Sequence, residues 1–167
     1  MKKTVLLITS LVFTTSLSFS QSKMDINHLI DRDGQLYAPD NDQPYTGKVF
    51  DFHKSGQKKR EETFKDGELN GLSTIYHENG QKKSEGNHKD GKLDGLWTNW
   101  YENGQKSSEI TYKNGREYII RTYKDGEREG LWTWWYGNGQ KIYEDLYKDG
   151  ELIESKKWDR DGNLIED

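Results

Sequence analysis

From Gly47 onward, short stretches of alternating apolar and polar residues are broken by glycine-containing polar clusters every 11 to 13 residues. Alternation of period two over five to seven residues predicts half-buried β-strands, and the clusters predict tight turns. The stretches also repeat. Gly47-Lys48-Val49-Phe50-Asp51-Phe52, Gly71-Leu72-Ser73-Thr74-Ile75-Tyr76 and Gly95-Leu96-Trp97-Thr98-Asn99-Trp100 align without gaps at a spacing of 24. A fourth copy, Gly130-Leu131-Trp132-Thr133-Trp134-Trp135, follows the third after 35 residues. The surplus of 11 equals the step from Tyr112-Lys113-Asn114-Gly115 to Tyr123-Lys124-Asp125-Gly126, so half a repeat is duplicated there. The smallest unit is therefore one strand plus one turn.

Each full unit carries two kinds of turn. Gly-Gln-Lys occurs at Gly56, Gly80, Gly104 and Gly139, preceded in three copies by Asn79, Asn103 or Asn138. Asp-Gly occurs at Asp66, Asp90, Asp125 and Asp149, with Asn114-Gly115 as a variant. Asn-Gly and Asp-Gly mark two-residue hairpins, because both positions tolerate positive φ. The expected fold is all-β: tandem antiparallel β-hairpin repeats forming an elongated meander sheet.

Period-two bookkeeping assigns faces. Phe52, Tyr76, Trp100 and Trp135 share a column, with Leu72, Leu96 and Leu131 four residues earlier and Thr74, Thr98 and Thr133 between them. The second strands offer Phe64, His88, Tyr112 and Tyr147. This set is expected to be the core. The opposite face is expected to hold Trp97, Tyr101, Trp132, Trp134 and Tyr136, where earlier units have Val49, Ser73, His53 and His77. A face that becomes aromatic only toward the C-terminal half is either covered by a second layer or an exposed binding platform. Those five residues are the candidate binding site.

The ends differ from the middle. Lys2 and Lys3, an apolar run from Val5 to Phe13, and Ser18-Phe19-Ser20 before Gln21 have the layout of a secretory signal peptide over residues 1–22. Residues 23–46 are expected to form an entry and capping segment, and 154–167 a C-terminal cap. The repeats fill 47–153, as 47–70, 71–94, 95–129 with the half-repeat, and 130–153. Ile30-Asp31-Arg32-Asp33-Gly34-Gln35-Leu36 and Trp158-Asp159-Arg160-Asp161-Gly162-Asn163-Leu164 resemble each other as degenerate Asp-Gly turns. Polar terminal units stop a repeat array from adding strands.

Composition sharpens this picture in two ways. The chain is 32% charged and only 31% hydrophobic, which alone would suggest disorder, but 13% aromatic residues and only 2 Pro oppose it. A sheet whose burial comes from a few large rings reconciles the two. Without Lys2 and Lys3 the 25 basic residues fall to 23 against 29 acidic ones, which disfavours nucleic acid and anionic membrane lipid as partners. With 0 Cys, disulfides and a lipid-modified cysteine are excluded.

No pattern points to catalysis. His53 and His77 share a column, but equivalent strands lie about 9.5 Å apart, too far to share one ion. Glu61, Glu85, Glu109 and Glu144 recur in every unit. That recurrence indicates a structural role, expected to be cross-strand pairing with the Lys-rich turns. No phosphate loop, nucleophile elbow or clustered ligand set occurs. The chain is expected to be non-enzymatic and to need no cofactor or metal.

The run Gly95 to Lys106, preceded by Lys89-Asp90-Gly91-Lys92-Leu93-Asp94, resembles the MORN-repeat variant of bacteria (membrane occupation and recognition nexus). The resemblance extends from about Tyr45 to Glu154. Proteins of this kind are often labelled as antitoxins of toxin–antitoxin systems. The resemblance implies a β-hairpin repeat fold and a protein-binding or membrane-associated role. The leading expectation is an exported, periplasmic or extracellular module that binds a protein partner, antitoxin- or immunity-like. A cell-wall glycan is the alternative partner, with Trp97, Trp132 and Trp134 stacking on sugar rings. Peripheral membrane association ranks third.

Overall fold

Every Asp-Gly pair in the repeats, and the Asn114-Gly115 variant, adopts a hairpin turn with positive φ at both residues, as at Asp66 (50°) and Gly67 (81°). This conformation matches the right-handed twist of the flanking strands, so the chain reverses with no intervening loop. In the other turn the asparagine side chain accepts from the glutamine amide two residues on: Gln81 N–H to Asn79 Oδ1 at 3.0 Å, Gln105 to Asn103 at 2.9 Å, and Gln140 to Asn138 at 3.1 Å. These two devices alternate and set the strand lengths.

The structure is a computed structural model that describes residues 22–165. The signal peptide expected over residues 1–22 falls almost wholly outside them. Strand β1 (Ser22–Asp25) leads through a 3-10 turn (Ile26–His28) into a small hairpin, β2 (Ile30–Arg32) and β3 (Gln35–Tyr37). The first three hairpins are β4 (Gly47–Phe52) with β5 (Lys58–Lys65), β6 (Glu68–Tyr76) with β7 (Lys82–Lys89), and β8 (Lys92–Trp100) with β9 (Lys106–Lys113). Next come the half-repeat strand β10 (Arg116–Lys124) and the short β11 (Glu127–Arg128). The fourth hairpin is β12 (Gly130–Trp135) with β13 (Lys141–Lys148), followed by β14 (Glu151–Trp158) and β15 (Leu164–Ile165). From β4 to β15 neighbours in sequence pair antiparallel, with β12 on β10 and β11 beside it, in one open 13-stranded sheet. Only β1 joins parallel, on β4. The all-β hairpin meander expected from the sequence is the fold observed.

The core lies elsewhere than expected. Directly opposed residues of antiparallel strands share a face. The series Val49, Glu62, Ser73, Gly86 runs across one face, here called the front. Val49 and Ser73 are 0% and 1% exposed, whereas Phe52, Leu72, Leu96 and Leu131 are 47–49% exposed. The leucines therefore do not belong to the core, although Thr74 and Thr133 beside them do. Phe64 and Tyr147 are buried as expected. The reason is the entry segment: Met24, Ile26, Leu29, Leu36 and Ala38 fold over the front of the first hairpin and pack on Tyr45, Val49 and Phe64. Among the described residues this is where a second layer exists, at the N-terminal end.

The half-repeat inverts the sheet. Strands β4, β6 and β8 run one way, and with β10 interposed β12 must run the other. Register shows the consequence. Trp97 pairs through Ile110 and Ile120 to Thr133, while Leu96 pairs through Thr111 and Ile119 to Trp134. Trp97 is thus on the front, and Trp132 and Trp134 are on the back. Each column of the fourth unit has changed sides.

Two recurrent contacts stitch the hairpins together. A lysine of each Gly-Gln-Lys turn pairs with the glutamate three residues later: Lys58–Glu61 at 2.7 Å, Lys82–Glu85 at 2.6 Å, Lys106–Glu109 at 2.5 Å, and Lys141–Glu144. The same lysine lies over a ring on the following strand, Tyr76, Trp100, Tyr123 or Trp158, at 5.4–5.8 Å. The glutamate pairing is therefore mainly within a strand, not across strands; Glu61 adds a cross-strand bond to Lys48 at 2.6 Å. The Lys48 and Lys58 hydrogen bonds hold the Glu61 carboxyl below its ordinary range. The C-terminal cap uses this second kind of turn. Gly162 N–H donates to Asp159 O as Gly139 does to Tyr136 O, so it is a Gly-Gln-Lys relative and not an Asp-Gly one.

His88 is the odd member of its aromatic column. Its ring meets the Trp97 ring edge-on at 5.5 Å, and its Nδ1 is buried with no hydrogen-bond partner. Burial pushes its pKa below the usual histidine range against the opposing charge of Glu62. His88→Phe should stabilise the fold by about 1 kcal/mol, because an unsatisfied buried nitrogen is exchanged for carbon. Urea unfolding measures this, and a loss of stability would show that Nδ1 has a partner.

Candidate functional site

One cross-strand slot changes character from unit to unit. In the first hairpin Asp51 and Arg60 fill it as an ion pair at 3.4 Å. In the second it holds Ile75 and Ser84, and in the third Asn99 donates to Ser108 Oγ at 2.8 Å. In the fourth it holds Trp134 and Tyr143, whose rings meet at 88° with centroids 6.4 Å apart. A polar slot has become an aromatic one.

The five aromatic residues expected to share a platform separate into four settings. Trp132 is 7% exposed and forms the hub of the fourth unit. Its ring lies 5.1 Å from that of Tyr147, 5.4 Å from Tyr123 and 6.2 Å from Trp134, with the Arg128 guanidinium 4.8 Å above it. Its indole N–H donates to Thr122 O at 2.9 Å, so its one polar group is satisfied. Trp97 lies on the opposite face, its N–H on Asn99 Oδ1 at 3.3 Å. Tyr101 and Tyr136 act as clamps, each donating to a carbonyl two strands on: Tyr123 O at 3.1 Å and Trp158 O at 3.4 Å. His53 and His77 do the same to Tyr76 O and Trp100 O at 3.1 and 3.0 Å. A carbonyl only accepts, so Nε2 is the donor in both histidines. That repeated bond is why these positions line up in one column.

Trp134 is left as the half-buried ring at an open surface. Beside it is a depression of about 490 Å³ lined by Trp134, Ile142, Tyr143, Asp145 and Ser155. Ser155 Oγ donates to Asp145 Oδ1 at 2.6 Å, and Lys157 Nζ stands 5.5 Å over the Tyr143 ring. A flat apolar wall thus faces a small hydroxyl–carboxylate pair. Tyr143, Asp145 and Ser155 were not among the residues singled out from the sequence. The signal was present: Tyr143 stands where the other units have Arg60, Ser84 and Ser108.

Charges around the clamp are paired. Burial raises the Glu109 carboxyl, but bonds from Lys106 and Tyr123 outweigh this and hold it below its ordinary range. Burial, and then the Glu109 bond, raise the Tyr123 hydroxyl. Among the described residues no three His, Cys, Asp or Glu side chains gather in a way that could hold a metal ion. No helix among them is long and apolar enough to cross a membrane.

A comparison with curated proteins gave no match. A family model described as the MORN repeat variant matches residues 45–66, 69–90, 93–114 and 128–149. The unmatched interval between the last two stretches contains β10 and its turn, the half-repeat that inverts the sheet. Each matched stretch ends at or near an Asp-Gly or Asn-Gly turn, as the hairpin unit requires. Since the four stretches together cover more than half of the chain, it belongs to the MORN repeat variant family.

Proposed function

We propose that this repeat protein is an exported, non-catalytic binding module whose fourth unit holds a protein partner, in an antitoxin- or immunity-like role. The observation that carries the reading is Trp134 with Tyr143, an aromatic pair bordering an open depression on a sheet face. Half-exposed aromatic side chains set in a rigid sheet are the usual anchors of protein interfaces. A second reading, cell-wall glycan, is favoured by the Ser155–Asp145 pair beside the ring, which offers hydrogen bonds to sugar hydroxyls.

The test is capture from the native envelope and culture supernatant with wild-type chain and with Trp134→Ala. A stoichiometric protein retained by wild type and lost with Trp134→Ala supports the proposal. Retention unchanged by the substitution removes this face from it. Retention of polysaccharide without protein transfers the site to the glycan reading.

A further inference from the structure

The inversion by β10 brings the two kinds of turn together at one end of the sheet. There the Asn114-Gly115 turn between β9 and β10 faces the Gly137-Asn138-Gly139 turn between β12 and β13. The regular array has no such junction, because it keeps Asp-Gly turns at one end and Gly-Gln-Lys turns at the other. Between the two turns is a cleft of about 480 Å³, whose walls include Lys92, Lys113, Arg116, Glu117, Tyr118 and Tyr136. It continues past the two tyrosines into a further depression of about 370 Å³ that reaches Arg160.

The charges here are unbalanced in a chain whose formal net charge is -4. Lys92, Lys113 and Arg116 take part in none of the ion pairs among the described residues, although lysines of the Gly-Gln-Lys turns are paired throughout. The carboxylate on this wall, Glu117, is already engaged by the Tyr112 hydroxyl. Lys92 lies along Gly115, its Cβ 3.6 Å from where a side chain there would begin, and borders a separate depression containing Asp90 and Asp94. Lys113 and Arg116 therefore carry most of the uncompensated charge. With Lys92 set against Asp90 and Asp94, the pair Lys113 and Arg116 against Glu117 leaves a local excess of one positive charge, which favours an anionic group over a neutral one. Arginine supplies the forked donor that fits phosphate oxygens. Tyr118 stands at the β10 bulge between Glu117 and Ile119, and a side chain on Gly137 would begin 3.2 Å from its hydroxyl. The hydroxyl end of Tyr118 thus sits beside Gly137, and the residue lines both the cleft and the depression beyond it.

We propose that the junction cleft is a binding site for a phosphoryl group borne on a small organic ring, the phosphate held by Lys113 and Arg116 and the ring laid against Tyr118. This site is separate from the Trp134 surface and does not depend on a protein partner being found. The test is an NMR titration of the full chain with glucose 6-phosphate, glucose and inorganic phosphate. Saturable shifts at Arg116, Tyr118 and Gly137 are expected with glucose 6-phosphate, weaker ones with inorganic phosphate, and none with glucose. Lys113→Glu with Arg116→Glu should weaken binding about tenfold, the sum of two exposed ion contacts. Lys148→Glu should leave it unchanged. The uncharged pair Lys113→Gln with Arg116→Gln serves if the double reversal fails to fold. Equal response to glucose, shifts scattered over lysines of the whole sheet, or binding that survives either double substitution would overturn the site. Saturable binding confined to phosphatidylglycerol vesicles would replace the small molecule by a lipid headgroup, and overturn it too.

Discussion

Trp132→Ala should lower the unfolding free energy by about 3–5 kcal/mol, the range for removing a buried aromatic side chain. The ring is 7% exposed and is enclosed by Tyr123, Trp134 and Tyr147, with Arg121 and Arg128 above it. Its removal leaves a cavity and strips a hydrogen bond from Thr122 O. A single-layer array is stabilised by its nearest neighbours, so the loss should concentrate in the fourth unit. Hydrogen exchange should show β12 and β13 opening well before β5 and β6, with the N-terminal hairpins near wild-type protection. A deficit below about 1.5 kcal/mol, under even an average core truncation, would mean that the ring is not the hub of this unit. Uniform loss of protection would count against independent units.

Gly86→Val is the second large effect, expected to destabilise by about 2–3 kcal/mol through overpacking. Gly86 lies within a strand and opposite Ser73, and a Cβ placed on it would be 2.7 Å from Cδ2 of Trp97, inside the indole's contact surface. Ring and valine cannot occupy the same place, so Trp97 must leave its contact with His88. In a Trp97→Ala background the same substitution should cost almost nothing, since the valine then fills the vacated space. Strong coupling between the two positions is therefore the expected result of a double-mutant cycle. Additive losses would place the Trp97 ring elsewhere.

The turns were legible because their chemistry is local: an Asp-Gly pair reverses the chain whatever surrounds it. Strand order followed from the 24-residue spacing. Faces are less legible, because side-chain size does not mark burial in this sheet. Val49 and Ser73 are small, yet they are the positions most removed from water, since the entry segment covers Val49 and the Ser73 column is closely packed. Among the described residues nothing covers Leu72 and Leu96, which stay half exposed. The separation of Trp97 from Trp132 was implied by the 11-residue surplus itself. One extra strand reverses the direction of everything after it and so carries each later side chain to the other face. Tyr143 is hidden for the opposite reason: it breaks the repeat, whereas periodicity marks only the positions that keep it.

Strand β10 has a consequence for how such a protein could acquire a second interaction. Adding a hairpin lengthens an existing surface, whereas adding half of one turns the next surface over. A body seated on the front of units two and three and a body seated on Trp134 would approach from opposite sides, without competing for space. Eleven residues suffice to turn the outward side of a later hairpin to the opposite direction, with the hairpin pattern itself left as it was.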